Sequence, residues 1–154
     1  KKRNFDFYDP LTTGDSSLSS CVEAIIAAQT GDMDKAIRYG MAALLMDLAD
    51  VGGNVKDGCH IASMGGTWMM LTYGFGGMRD DDETLSFWPR RAPEENAILR
   101  FPLTYHGQML EIEIGLDRVE YMLREGERLV IRHEKEEVEL TRDNPLVIRP
   151  VSRR

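Results

Sequence analysis

The sequence predicts an α+β fold, with apolar helices first and a small antiparallel β-sandwich after them. Three observations carry that reading. Up to about residue 79, apolar residues recur at spacings of three and four, as along one face of a helix. Beyond the charged break "DDDET" at 80–84 the period falls to two. Gly, Asn, Asp and Pro then cut the second half into short runs rich in β-branched and aromatic residues. Two domains are expected, 1–79 helical and 80–154 β.

Asp15 and Ser16 are N-cap candidates for a helix marked by Leu18, Val22, Ile25, Ile26 and Gln29. "TGD" at 30–32 ends it and caps a second helix, whose stripe runs from Met33 through Ala36, Ile37 and Met41 to Leu48. The glycine-rich "VGGNVKDG" at 51–58 reads as a loop. A third helix is expected from Ile61 to Phe75, closed by "GFGGM". "IIAA" and "MAALLM" are apolar on more than one side, so three helices alone leave apolar surface uncovered. With no initiator Met, the chain is expected to be part of a longer polypeptide. The strands expected are "LSFWP", "AILRFPLTY", "MLEIEIGL", "RVEYMLREG", "RLVIRH", "EVELT" and "PLVIRP". In "MLEIEIGL", Leu110, Ile112 and Ile114 should face a core while Glu111 and Glu113 face water.

Bulk properties exclude several classes of function. The 154 residues are 42% hydrophobic and 29% charged, the balance of a soluble globular protein. A net charge of −7 argues against a nucleic-acid partner. No apolar run is long enough to span a membrane, and "KKRNFDFYDP" is not a signal peptide. Cys21 and Cys59 form no Cys/His ligand cluster, so no metal is expected, and they read as reduced thiols of a cytoplasmic protein.

"GCHIASMGGTW", residues 58–68, is the unusual stretch, with a histidine, a serine and two glycines at a helix start. About four backbone N–H groups at such a start lack an internal partner, and the helix dipole favours an anion there. Ser63 adds a hydroxyl and His60 an imidazole N–H. Gly65 and Gly66 let a ligand or another backbone come close. These are the parts of an oxyanion site, phosphate above all. They also suit a plain alternative, in which Ser63 caps the helix, the glycines serve packing and His60 is buried and satisfied. From the residues alone both readings stay open. Thr13, Asp15 and Ser16 belong to a second Ser/Thr-rich helix start that would line the same cavity. Glu23 and Asp47 sit on helices, with nothing to mark either as a catalytic acid. An Asp57–His60–Ser63 triad lacks the nucleophile-elbow pattern.

"KRNFDFYDPLTTGDSSLSSCVEAIIAAQTGDMDKA", "DGCHIASMGGTWMMLTYGFGGMR", "LSFWPR" and "LRFPLTYHGQMLEIEI" in this order resemble family 65 of the glycoside hydrolases. That family holds the maltose, trehalose and kojibiose phosphorylases and the acid trehalases. The resemblance implies the last helices of an (α/α)6 barrel followed by the small C-terminal β-domain. It implies inverting phosphorolysis of an α-glucoside to β-glucose 1-phosphate, with inorganic phosphate as co-substrate and no cofactor. A disaccharide and phosphate are the implied partners, and a homodimer the implied assembly. The family's H-I-x-S-M-x-G motif places His60 and Ser63, with Gly65 and Gly66, at phosphate. The general acid Glu and a Lys-Gln pair lie upstream in the family, so no catalytic residue falls in this chain, which should be inactive alone. Where the family commonly has Thr-His-Asp-Ser-Ser, this chain has Gly14 in place of the His. That departure keeps a hydrolase of the same family as the alternative. A non-catalytic structural or sugar-binding β-module is the third.

Overall fold

The computed structural model describes residues 1–81, 83–90 and 97–151. Asp82, inside the acidic break, lies outside them. The chain forms two compact units, Lys1–Gly74 and Phe75–Arg154, the first helical and the second built of strands. The α+β class read from the sequence is the one observed.

The helical unit opens with α1, Lys2–Tyr8, which the sequence reading passed over. Its single buried side chain, Phe5, leaves no stripe to detect. Pro10 converts its end into a 3-10 turn, Asp9–Leu11, since proline offers no N–H to continue the ladder. Asp9 then reaches across to the third helix, accepting from Lys35 Nζ at 2.7 Å and Tyr39 Oη at 2.8 Å. Burial works to raise the Asp9 carboxyl, but these two hydrogen bonds outweigh it and hold it below its ordinary value. Tyr39, half-enclosed and facing that carboxylate, is pushed up to about 12.

Helix α2 is Ser19–Thr30. Asp15 and Ser16 do not cap it; Leu18 holds the N-cap position and no side chain caps the helix. Ser16 Oγ instead accepts from the Leu18 N–H at 3.3 Å, which spends the hydroxyl on a turn before the helix begins. Gly31, left-handed at φ +86°, ends α2, and Asp32 caps α3 (Met33–Leu44) by accepting from the Lys35 N–H at 3.1 Å. The expected stripe to Leu48 stops at Leu44, and Leu48, in the turns that follow, is exposed. Helix α4 is Ile61–Met69 and passes into a π-helical turn, Met70–Phe75.

Small residues form the seam between these helices. Ala24, Ala27 and Ala28 of α2 and Ala36, Gly40 and Ala43 of α3 are all buried. A Cβ on Gly40 would lie 2.7 Å from Met70 Sδ, and one on Gly74 would lie 3.4 Å from the Ile25 Cα. Gly40 thus leaves room for the Met70 side chain, and Gly74 lets its turn lie against the α2 backbone at Ile25.

The second unit holds β1 (Ser86–Phe87), β2 (Leu99–Tyr105), β3 (Gln108–Ile114), β4 (Arg118–Glu125), β5 (Arg128–His133), β6 (Glu136–Thr141) and β7 (Leu146–Pro150). They form two sheets, ordered β2-β3-β4-β7 and β1-β5-β6. Leu110, Ile112 and Ile114 are buried as the alternation requires, while Glu111 meets Arg124 and Glu113 meets Arg100 on the other face. One pairing departs from an all-antiparallel sandwich: β1 runs parallel to β5. Tyr121 of β4 and His133 of β5 join the sheets through a buried 3.0 Å hydrogen bond, with Phe87 packed on the Tyr121 ring at 5.3 Å. Gly77, at φ +63°, is required by contact, since a Cβ there would lie 2.0 Å from the Trp88 carbonyl oxygen.

Candidate functional site

The loop before α4 is shaped by Gly53 and Gly58, both at positive φ, around a 3-10 turn Val55–Asp57. It delivers His60 to the N-cap position of α4. His60 is held there by a residue for which the sequence offered no signal. Asp47, in the turns after α3, accepts from the His60 backbone N–H at 2.9 Å and lies 2.6 Å from the ring Nδ1. The two hydrogen bonds, ring first, lower the Asp47 carboxyl below its ordinary value. The Asp57–His60–Ser63 triad is therefore not formed, because the ring nitrogen that would face Asp57 is bound to Asp47.

The N-terminus of α4 is less open than the sequence implies. The His60 N–H is taken by Asp47, that of Ile61 by the Cys59 carbonyl at 3.0 Å, and that of Ser63 by the His60 carbonyl at 2.9 Å. Among the described residues the Ala62 N–H is the one in this turn left without a partner. An anion at this helix start would thus depend on side chains more than on free backbone groups.

Ser63 is 1% exposed, and its Oγ has no hydrogen-bond partner among the described residues. The capping role weighed for it is not the one observed, since α4 has no side-chain cap. Gly65 and Gly66 separate cleanly. A Cβ on Gly66 would lie 2.4 Å from Cys21 Sγ, so this glycine lets α2 come close. A Cβ on Gly65 would meet nothing within 4 Å.

A cavity of about 290 Å³ opens beside this turn, lined by Gly14, Asp15, Ser16, Gly52, Asn54 and His60 among others. The cavity expected to join Ser63 with the Thr13–Ser16 loop is not the one observed, since the loop meets His60 there but not Ser63. Asp15 and Ser16 face it with His60, whereas Thr13, Ser63, Gly65 and Gly66 are not in its wall. Gly14 sits in the wall at φ +71°. A second cavity of about 650 Å³ lies along α1 and α2, with Phe5, Tyr8, Val22 and Ile26 in its wall and Glu23 among them. Burial, and then the charge of Asp9, push the Glu23 carboxyl up. Glu23 and Asp47 are not paired with each other. Cys21 is buried and Cys59 exposed, both as free thiols. Among the described residues no group of His, Cys, Asp and Glu is placed to hold a metal, and no helix is long and apolar enough to cross a membrane.

Residues 1–69 match the sequence profile of the glycosyl hydrolase family 65 central catalytic domain, and residues 78–140 match that of the family's C-terminal domain. The chain belongs to glycosyl hydrolase family 65. Among family 65 relatives, an α,α-trehalose phosphorylase of Geobacillus stearothermophilus is 40% identical over 145 residues, which are 94% of this chain and 19% of that protein. A maltose phosphorylase of Bacillus subtilis is 38% identical over 84% of this chain and 17% of its own length. A solved structure, provisionally named a kojibiose phosphorylase from the human microbiome, superposes with a TM-score of 0.88 at 25% identity, covering 97% of this chain and 22% of that one. The chain thus spans about a fifth of the length of the family 65 proteins that it matches.

Proposed function

We propose that this chain is part of an inverting disaccharide phosphorylase that cleaves an α-glucoside with inorganic phosphate and yields β-glucose 1-phosphate. In this reading residues 1–79 supply the terminal helices of an (α/α)6 barrel, and residues 80–154 the small C-terminal β-domain. The setting is cytoplasmic, in keeping with two unpaired thiols. The start of α4 supplies phosphate contacts through His60, Ser63 and the open backbone at Gly65. Gly66 serves the site by admitting α2. Asp15 and Ser16 complete the wall on the His60 side. The general acid lies elsewhere in the longer protein.

The observation that carries the reading is Ser63. The residue is 1% exposed and its hydroxyl has no partner among the described residues, and a buried hydroxyl left unpaired costs free energy. It stands one helical turn from His60, whose ring is already oriented by Asp47. The phosphorylase names of the relatives agree with phosphate as the ligand there. A hydrolase of the same family is the second reading, favoured by Gly14, which contributes no side chain to the cavity wall it shares with His60.

The test is turnover of maltose, trehalose and kojibiose by the whole protein with and without phosphate. Phosphate-dependent release of β-glucose 1-phosphate is expected, and Ser63→Ala and His60→Ala should each weaken phosphate use by roughly 1.5–3 kcal/mol. Equal turnover in both conditions rejects the phosphorylase.

A further inference from the structure

We infer that Asp47 is a positioning residue that fixes the His60 ring through Nδ1 and so leaves Nε2 as the nitrogen that meets phosphate. The inference rests on the phosphate reading of His60 given above. It starts from a geometric fact: both Asp47 oxygens are committed to the same residue. One accepts the His60 backbone N–H at 2.9 Å and the other lies 2.6 Å from Nδ1. The backbone contact sets where His60 sits, and the ring contact sets how it is turned. The two side chains are only 14% and 19% exposed, so water competes poorly for either bond.

The chemistry follows from what each group can offer. An ionised carboxylate only accepts, so Nδ1 must carry a proton while Asp47 is charged. The Asp47 carboxyl is held below its ordinary value by this pairing, so it is charged at neutral pH. The tautomer with the proton on Nε2 alone is therefore excluded. Nε2 then has two states: bare, it accepts the hydroxyl of a protonated phosphate; protonated, it donates to a phosphate oxygen. In the second state the imidazolium also neutralises the Asp47 charge, which would otherwise oppose an anion at this helix start. Asp47 itself is held by a closed turn. The Ala49 N–H donates to the Leu45 carbonyl at 2.9 Å, and the Val51 N–H to the Met46 carbonyl at 3.0 Å.

Asp47→Asn is the discriminating change. An amide has one accepting oxygen and one donating NH2, so with the oxygen on the backbone N–H it can only donate to a bare Nδ1, which moves the ring proton to Nε2 and no longer supports an imidazolium. The whole protein bearing Asp47→Asn should show a phosphate KM raised about tenfold or more, with kcat changed far less and with the sugar KM unmoved. Asp47→Glu keeps the carboxylate and should recover part of that loss. Imidazole 15N spectra of the wild-type protein should show His60 protonated at Nδ1 throughout the neutral range, an outcome independent of how any variant folds. A neutral His60 protonated at Nε2 overturns the inference. So does Asp47→Asn with a lowered melting temperature and an unchanged phosphate KM. If His60→Ala raises the phosphate KM and Asp47→Asn does not, only the role of Asp47 fails. If neither does, the phosphate reading of His60 fails with it.

Discussion

Two adjacent glycines of α4 should respond to the same substitution with opposite signs. In Gly66→Ala the new methyl would stand 2.4 Å from Cys21 Sγ and 3.1 Å from its Cβ. Cys21 has little room to yield, being 3% exposed with its Sγ donating to the Leu18 carbonyl at 3.0 Å. Inserting a methyl into so tight a contact costs about 1–3 kcal/mol. The gain in helix propensity returns about 0.5–1 kcal/mol of that, for a net loss of up to roughly 2.5 kcal/mol, centred on about 1 kcal/mol. Gly65→Ala meets open space and keeps only the gain. Urea unfolding followed by far-UV circular dichroism measures both. A third variant sharpens the test: Cys21→Ala in the Gly66→Ala background removes the sulfur that clashes. It should restore about 1 kcal/mol as a coupling term, beyond the sum of the single changes. If Gly66→Ala stabilises the protein as Gly65→Ala does, or the coupling is zero, the close approach of α2 and α4 is not what the glycine serves.

Gly77→Ala should be far more damaging, because the obstacle is backbone: a Cβ 2.0 Å from the Trp88 carbonyl oxygen, at a φ of +63°. A loss above about 4 kcal/mol is expected, read as collapse of the β-unit's thermal transition; a transition shifted by only a few degrees refutes it. The Tyr121–His133 link makes a pH prediction. Burial lowers the His133 pKa below its ordinary 6.5, outweighing Glu134 and Glu136 beside it and acting with Arg149. The unfolded chain therefore binds the extra proton first. Stability should be full above about pH 6.5 and fall as the pH drops below it, at no more than about 1.4 kcal/mol per pH unit for one group. Denaturation between pH 7.5 and 5.5 checks the slope, and a His133→Gln variant with the same slope as wild type refutes it.

What the sequence disclosed and what it withheld divide along physical lines. The strands were legible because each presents one face to a core, so Leu110, Ile112 and Ile114 could be assigned inward from alternation alone. The direction of β1 was not, because a two-residue strand carries no pattern that distinguishes parallel from antiparallel pairing. Helix α1 left no stripe, with Phe5 its single buried residue. Asp15 and Ser16 have the chemistry of caps, yet the chain turns once more before α2 begins. At the site, the types of residue were readable and their division of labour was not. Gly65 and Gly66 are the same letter twice, and only the position of Cys21 tells them apart. Asp47 precedes His60 by 13 residues across an irregular loop, a separation to which no periodicity points.

The alanine and glycine seam of the helical unit bears on precision. Long interdigitating side chains act as a cushion, since rotamers can shift and absorb a displacement before it reaches the next element. Between α2, α3 and α4 that cushion is nearly absent. A movement of α2 is passed directly to Gly66, and so to the start of α4 six residues earlier, where His60 sits. A displacement along the seam therefore meets few adjustable side chains before it reaches the start of α4, and His60 with it.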